Sequence, residues 1–274
     1  MSPPKDTDVL KYYSRNQELA RSETQQLEFR VCENLLNKYM HDKKLKILEL
    51  GAGAGHYTRF LADKGHELTV VEPTKILIEQ NRDQITQLGL EDQVEYFEID
   101  ARDVSSKLNK LKFDLILNMG PMYHIFEESD QVQLLKDLNS LLLDQGLMMS
   151  VFLSRVGFLS YILTRQPETV LADPEGLRDV LTQGFDPQHP KDGTFRGYFS
   201  DLNTVAELHK KSGWNLAAIH VLDPCLGGRD ETFNQLNDAQ KSAWVEVLAA
   251  LSGDPNYWNS GRTWLALATK IQSP

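Results

Sequence analysis

Between residues 46 and 153, short apolar runs alternate with longer stretches in which apolar residues return every three or four positions. "KILEL" (46–50), "ELTVVE" (67–72), "VEYFEID" (94–100), "FDLILNM" (113–119) and "LMMSVFL" (147–153) read as strands. "YTRFLADKG" (57–65), "ILIEQNRDQITQLGL" (76–90) and "QVQLLKDLNSLLLDQG" (131–146) read as helices, with Gly65 and Gly146 as stops. Strands alternating with helices at this spacing form βαβ units, hence a mainly parallel sheet with helices on both faces.

After Leu153 the rhythm breaks. About sixty residues pass before "WNLAAIHVL" (214–222), and about forty more before "TWLALATK" (263–270), which completes seven strands. In the first insertion "VGFLSYILTRQ" and "EGLRDVLTQG" read as helical, "DPQHPKDG" as a polar turn, and "YFSDLNTVAELHKKSG" (198–213) as the helix returning to the sheet. Ahead of the first strand, residues 1–9 read as a loose tail. Tyr12 to about Met40 reads as a helix, with Leu27, Val31, Leu35 and Tyr39 at four-residue spacing and Ser22 with Gln25 as a capping box. The expected architecture is α/β: a Rossmann-like, doubly wound, seven-stranded, mostly parallel sheet with helical lid insertions after strands five and six. It divides into an N-terminal helical lid (1–40), a cofactor-binding core (41–153), a helical substrate cap (154–200) and a C-terminal return to the core with the second insertion (201–274).

Charge narrows the partners. The 274 residues carry 29 Lys and Arg against 39 Asp and Glu, a formal net charge of −10. A diffuse negative field repels phosphate backbones, so nucleic acid is not an expected partner. Lys43, Lys44 and Lys46 read as a solvated turn. Two cysteines, Cys32 and Cys225, are too few for a disulfide framework or a zinc cluster. Asp114, Glu127 and Glu128 form no convincing carboxylate set, so no metal is expected. No apolar segment reaches about 20 residues and the first residues lack an apolar stretch, so neither a membrane span nor a secretory signal is expected. The expected location is cytoplasmic, and a homodimer is compatible with the sequence.

The candidate chemistry begins in "ILELGAGAGHY" (47–57). Glycines after the first strand of an open parallel sheet lie where ligands bind, and they let the backbone approach closely. A dinucleotide fingerprint needs a third glycine where this chain has His56, and no Gly-Lys-Ser/Thr follows for a phosphate loop. The pattern is instead acid-x-Gly-x-Gly-x-Gly, with Glu49 as the acid. Glu72 ends the second strand, where an acid takes ribose hydroxyls. Asp100, followed by Ala101, ends the third, where a carboxylate can accept from an adenine amino group. Read singly, Glu72 and Asp100 are equally caps of the turns that follow.

"ILELGAGAGHYTRFLADKGHELTVVEP", "EIDARDV" and "LNMGPMYHI" resemble the successive motifs of class I S-adenosylmethionine-dependent methyltransferases. The resemblance covers residues 40–153 and returns more weakly in "YFSDLNTVAELHKKSGW" and the last strand. It implies S-adenosylmethionine as cofactor and S-adenosylhomocysteine as product. Gly51, Gly53 and Gly55 would lie against the methionine part, Glu72 would hold ribose, and Asp100 with Ala101 would hold adenine. Asn118 and Met119 would line the sulfonium and amino-acid end. Glu49, Ala52 and Pro73 complete the expected cofactor set.

Methyl transfer is an in-line displacement, so holding the reactants in line accounts for much of the catalysis. A hydroxyl acceptor gains further from a general base. His124 in "GPMYHIF" is the candidate base and Tyr123 the candidate orienting hydroxyl; both are equally readable as packing at a helix entry. Asn118-Met119-Gly120-Pro121 departs from the Asn/Asp/Ser-Pro-Pro-aromatic motif of enzymes that methylate base or glutamine amides. Tyr13, Tyr123, Arg155 and Tyr161 are the candidate substrate contacts, Phe158 and Arg165 sharing the last two residues' helix. The expected function is methyl transfer to an O or N nucleophile of a small molecule. A protein or RNA methyltransferase and a non-catalytic S-adenosylmethionine-binding protein are the alternatives.

Overall fold

The computed structural model describes residues 7–15, 18–40, 43–189, 194–225 and 230–271. The elements in chain order are α1 (Thr7–Tyr13), α2 (Glu18–Thr24), α3 (Gln26–Tyr39), β1 (Lys46–Leu50), α4 (His56–Asp63), β2 (Glu67–Val71), α5 (Lys75–Leu88), β3 (Val94–Phe97), α6 (Val104–Leu108), β4 (Phe113–Asn118) and α7 (Glu128–Leu141). There follow β5 (Leu142–Ser154), α8 (Arg155–Arg165), α9 (Thr169–Ala172), α10 (Pro174–Gln183), β6 (Phe199–Ser200), α11 (Leu202–Lys211), β7 (Trp214–Val221), α12 (Asp230–Asn234), α13 (Asp238–Leu251) and β8 (Thr263–Lys270).

The strands form one sheet in the order β3-β2-β1-β4-β5-β8-β7, with β6 pairing off the path with β5. Strands β1 to β5 run parallel, with Ile47 opposite both Leu68 and Leu115. β8 is antiparallel to both β5 and β7. β1 and β2 are each buried at four of five positions because helices cover both faces, which is why they read as unbroken apolar runs. The pleat sends alternate residues into two cores. Ile47, Val70, Leu117 and Leu267 pack with α3, α4 and α13 on one face; Leu48, Ile116, Phe152 and Trp264 pack with α6, α7 and α11 on the other. The chain leaves β1 for β2 and β3 on one side and returns to β4 on the other. The crevice above β1 and β4 is therefore the topological switch point, where open sheets of this kind bind ligands.

Three expectations change. The helix expected from Tyr12 to Met40 is three helices. Ser22 lies within α2, and Gln25 precedes α3 without a side-chain cap bond, its Oε1 accepting from Arg21 Nε at 2.9 Å. Gly146 does not stop a helix: α7 ends at Leu141 and β5 runs from Leu142. The pairing of β4 and β5 shifts register between Phe113 and Leu115, and a Cβ on Gly146 would lie 2.9 Å from the Asp114 carbonyl oxygen. Glycine fits this irregular pairing because it brings no side chain into it. Finally, the two-residue β6 raises the strand count to eight. The polar turn at 186–193 falls partly outside the described residues. Among the described residues no helix is long and apolar enough to cross a membrane.

Candidate active site

Residues 51–55 carry the chain from β1 into α4, and each glycine answers a different constraint. Gly51 has φ +67°; its N–H donates to the Val71 carbonyl at 2.9 Å, and a Cβ there would lie 2.9 Å from Pro121 Cδ. Gly55 has φ +97°, and a Cβ there would lie 2.5 Å from the Asn81 amide. Gly53, at φ +55°, is different: a Cβ would meet only the Glu18 carboxylate, at 3.9 Å. The Gly53 N–H donates to Glu72 Oε2 at 3.0 Å, so the loop and the end of β2 are tied together.

Gly51, Ala52, Gly53 and Ala54 floor a cavity of about 440 Å3; Gly55 does not line it. Ala52, Glu72, Pro73, Asp100, Ala101, Met119, Gly120, Tyr123 and His124 line it from the sheet edge. Val9, Leu10, Tyr13, Glu18, Arg21, Glu28 and Phe29 roof it from α1, α2 and α3. The roof is fastened to the segment before β6. Asp8 pairs with Arg196 at 2.9 Å, and the Arg196 guanidinium lies 3.8 Å over the Phe126 ring. Tyr12 meets Phe195 edge-on at 5.4 Å, and Tyr13 Oη lies 2.7 Å from His124 Nε2.

Glu72 is buried; its second oxygen accepts from the Thr74 N–H at 2.9 Å, and burial raises its carboxyl above the usual range. A carboxylate has about four lone-pair sites, so the Gly53 and Thr74 N–H groups and the Thr74 hydroxyl leave capacity for a ribose hydroxyl. Asp100 accepts from its own neighbour, Arg102, at the backbone N–H and Nε, both at 2.9 Å, and at Nη2, 2.6 Å. It therefore caps the turn at 101–103 while also lining the cavity.

His124 sits between Tyr13 and the Arg196 carbonyl, which lies 3.2 Å from Nδ1. A carbonyl only accepts, so Nδ1 carries the proton and Nε2 accepts from the Tyr13 hydroxyl. Burial pushes His124 down to about 3, the Arg196 carbonyl opposing that push. Tyr123 is buried, donates to the Met119 carbonyl at 3.3 Å, and is pushed up to about 12 by burial.

Five expected site residues stand elsewhere, Gly55 among them, packed against the Asn81 amide. Glu49 points from β1 toward α4, on the Ile47 side of the pleat, and does not line the cavity. It accepts from Thr58 Oγ1 at 2.7 Å, its other oxygen is without a partner among the described residues, and burial pushes it up to about 8. Asn118 is fully buried, donating to Ser150 Oγ at 3.2 Å; its neighbours Met119 and Gly120 line the cavity instead. Arg155 is drawn away by the Thr182 carbonyl, 3.1 Å, and Asp201, 3.4 Å. Tyr161 lies under the Arg262 guanidinium at 5.4 Å, outside the cavity lining. Conversely, Glu18, Arg21 and Glu28 line the cavity and were not expected. The only local signal was the helical three-residue spacing of Glu18 and Arg21. Among the described residues no three His, Cys, Asp or Glu side chains are grouped to hold a metal.

The cavity fits an adenosyl sulfonium compound on two observations. The space above Gly53 is open as far as the Glu18 carboxylate, and the buried Glu72 carboxylate keeps unused acceptor capacity at the end of β2.

Residues 47–146 match the family model described as a methyltransferase domain. The tRNA 5-carboxymethoxyuridine methyltransferase of Escherichia coli O157:H7 is 25% identical over 158 residues, 57% of this chain and 57% of that protein, so the match spans little more than half of that curated relative. Two solved structures share the fold: the PH0226 protein from Pyrococcus horikoshii, with a TM-score of 0.56, 18% identity and 95% of both chains covered, and a SAM-dependent methyltransferase from Methanosarcina mazei, with a TM-score of 0.57, 13% identity, and 87% of this chain and 98% of that one covered. The glycine loop and the strand-end acids stand on one crevice; residues 47–146, which carry them, match a methyltransferase domain, and the fold is shared with a solved SAM-dependent methyltransferase.

Proposed function

We propose that the chain transfers a methyl group from S-adenosylmethionine to an O or N nucleophile of a small molecule. The roofed cavity carries this reading. At about 440 Å3 it lies toward the low end of ligand pockets, roughly 300–1,000 Å3. Glu72 and Asp100 would hold the adenosine, Gly51 and Gly53 would admit the chain toward the sulfur, and Met119 and Gly120 would line the reacting end. Bound there, the cofactor supplies a methyl group already activated by positive sulfur.

The protein's part is then alignment and exclusion of water by the α1–α3 roof. Tyr13 would orient the acceptor. Because its hydroxyl proton is directed to His124 Nε2, its own lone pairs face an acceptor O–H or N–H. His124, held neutral by burial, is better suited to positioning Tyr13 than to storing a proton. Tyr123, bonded to the Met119 carbonyl, would brace the loop beneath.

RNA is the second reading, favoured by the relative that acts on tRNA. The roof of α1–α3 over the cavity and the net charge of −10 weigh against it. Incubating the protein with methyl-labelled S-adenosylmethionine and separated fractions of a cell extract tests the choice. Label in the low-molecular-weight fraction supports the proposal; label confined to RNA or to protein overturns it.

A further inference from the structure

We infer that the methyl acceptor is a flat nitrogen heterocycle, methylated on a pyridine-type ring nitrogen to give a permanently charged product. The inference rests on the methyl-transfer reading above and commits it to one nucleophile.

The groups that could take a proton are already committed. Tyr13, Glu28, Tyr123 and His124 line the cavity from α1, α3 and the loop after β4. His124 Nε2 is met by the Tyr13 hydroxyl at 2.7 Å, and Nδ1 faces the Arg196 carbonyl at 3.2 Å. Tyr123 donates to the Met119 carbonyl at 3.3 Å. Glu28 accepts from Arg21 Nη2 at 2.8 Å and from Thr263 Oγ1 at 3.2 Å. An acceptor that must shed a proton before attack therefore finds no general base on this side. An aliphatic amine, like lysine at about 10.4, arrives protonated at neutral pH. A pyridine-type nitrogen is far less basic and arrives with its lone pair open. That lone pair forms the N–CH3 bond as the C–S bond breaks, and the C–S electron pair stays on sulfur. The products are neutral S-adenosylhomocysteine and a cationic ring, and no proton moves.

The walls suit both a flat ring and the charge it gains. The Tyr123 and His124 rings lie 4.6 Å apart and the Tyr13 and His124 rings 5.3 Å apart, all three on the cavity. Phe29 and Tyr57, 5.4 Å apart, line it from α3 and α4. Aromatic side chains stack on a flat ring and attract a quaternary nitrogen. Charge points the same way. Arg21 meets Glu28 at 2.8 Å and Glu18 at 3.5 Å, one positive group against two negative. The amino-acid end of the cofactor is neutral overall, so this excess is left to the positive charge that starts on sulfur and ends on the ring. A carboxylate acceptor would add to the excess instead. Tyr13, whose proton is directed to His124, keeps lone pairs for an amino or amide N–H carried by the ring.

The product's charge tests the assignment. The protein is incubated with methyl-labelled S-adenosylmethionine and the low-molecular-weight fraction of a cell extract, and unreacted cofactor is then removed by chromatography. The labelled product is expected to stay on a cation exchanger at pH 11 and to absorb in the near ultraviolet, because a quaternised ring keeps its charge where an amine loses it. Label released at pH 11, as from a methylated amine, or never retained, as from an ether or ester, overturns the inference. Retained label without ring absorption overturns it equally. Calorimetry on the S-adenosylhomocysteine complex tests the subsite without an extract. N-methylpyridinium is expected to bind about tenfold more tightly than toluene, its uncharged isostere. Equal binding of the two, or binding of neither, overturns the inference. If no low-molecular-weight label forms at all, the small-molecule reading itself fails, and that result is distinct from each of these.

Discussion

Glu49 offers a test of how the floor of the site is built. It is fully buried on β1, satisfied at one oxygen by Thr58 Oγ1, and without a partner at the other among the described residues. Thr58 in turn accepts from Asn81 Nδ2 at 2.8 Å, and Asn81 Oδ1 accepts from the Tyr96 hydroxyl at 3.0 Å. This network lies directly beneath Gly55, whose missing Cβ makes room for the Asn81 amide. Burial is the main reason the carboxyl rises from 4.5 to about 8; the Thr58 hydrogen bond opposes it, and the nearby Glu72 adds to it.

A folded-state pKa above the unfolded one gives a contribution to stability that is fully present below pH 4.5 and is lost as pH rises through about 8. The rise corresponds to an upper limit of about 5 kcal/mol lost on full ionisation, and structural relaxation brings the working figure to about 2–5 kcal/mol. Glu49→Gln keeps the shape and the acceptor for Thr58 and removes the titration. Its stability relative to the parent is expected to be near zero or slightly negative at pH 5 and positive by about 2 kcal/mol or more at pH 8.5. Denaturant unfolding of both proteins at the two pH values measures this. The other titrating groups are common to both proteins, so they largely cancel in the difference. An equal difference at pH 5 and pH 8.5 refutes the reasoning, because it means that Glu49 is ionised across that range.

Gly51→Ala forces a Cβ toward Pro121 at positive φ and is expected to cost about 1–3 kcal/mol in denaturant unfolding, with loss of S-adenosylhomocysteine binding by calorimetry. Tyr13→Phe is expected to lower kcat by about tenfold or more, with the S-adenosylhomocysteine Kd unchanged; a shift in Kd alone removes Tyr13 from the acceptor side. His124, with its folded-state pKa lowered to about 3, contributes stability present above pH 6.5 and lost as pH falls through 3, so α1 amides are expected to keep their hydrogen-exchange protection from pH 8 to pH 6.5 and to lose it progressively below that. Arg155→Ala is expected to lower Tm by releasing α10 and Asp201, while cofactor affinity stays unchanged.

Sequence reading reached the floor of this site and the N-terminal lid with Tyr13, but not Glu18, Arg21 and Glu28 in the roof, for a physical reason. The floor is made of residues whose placement follows from local rules. An apolar run buried on both faces ends at a glycine turn, and the next strand ends in an acid whose partners, Gly53 and Thr74, belong to the same βαβ unit. Even there, alternation decides what composition does not: Glu49 belongs to the same motif as Gly51 yet faces α4, because it lies one position from Leu50 and two from Ile47 on a period-two strand. The roof depends on contacts between distant segments. Tyr13 meets His124 across 111 positions and Thr263 meets Glu28 across 235. No local periodicity encodes such pairs. Arg155 and Tyr161 show the complementary failure. Their spacing correctly places them on a helix, but helical spacing gives no information about which neighbour takes a side chain, and the Thr182 carbonyl and Arg262 take these two. Glu18 and Arg21 carry no local signal of a site, because a three-residue charged pair on a helix is ordinarily a solvated one. What distinguishes this pair is Glu28, buried and anchored to β8, which fixes Arg21 over the loop, and that anchor is set by the tertiary fold alone.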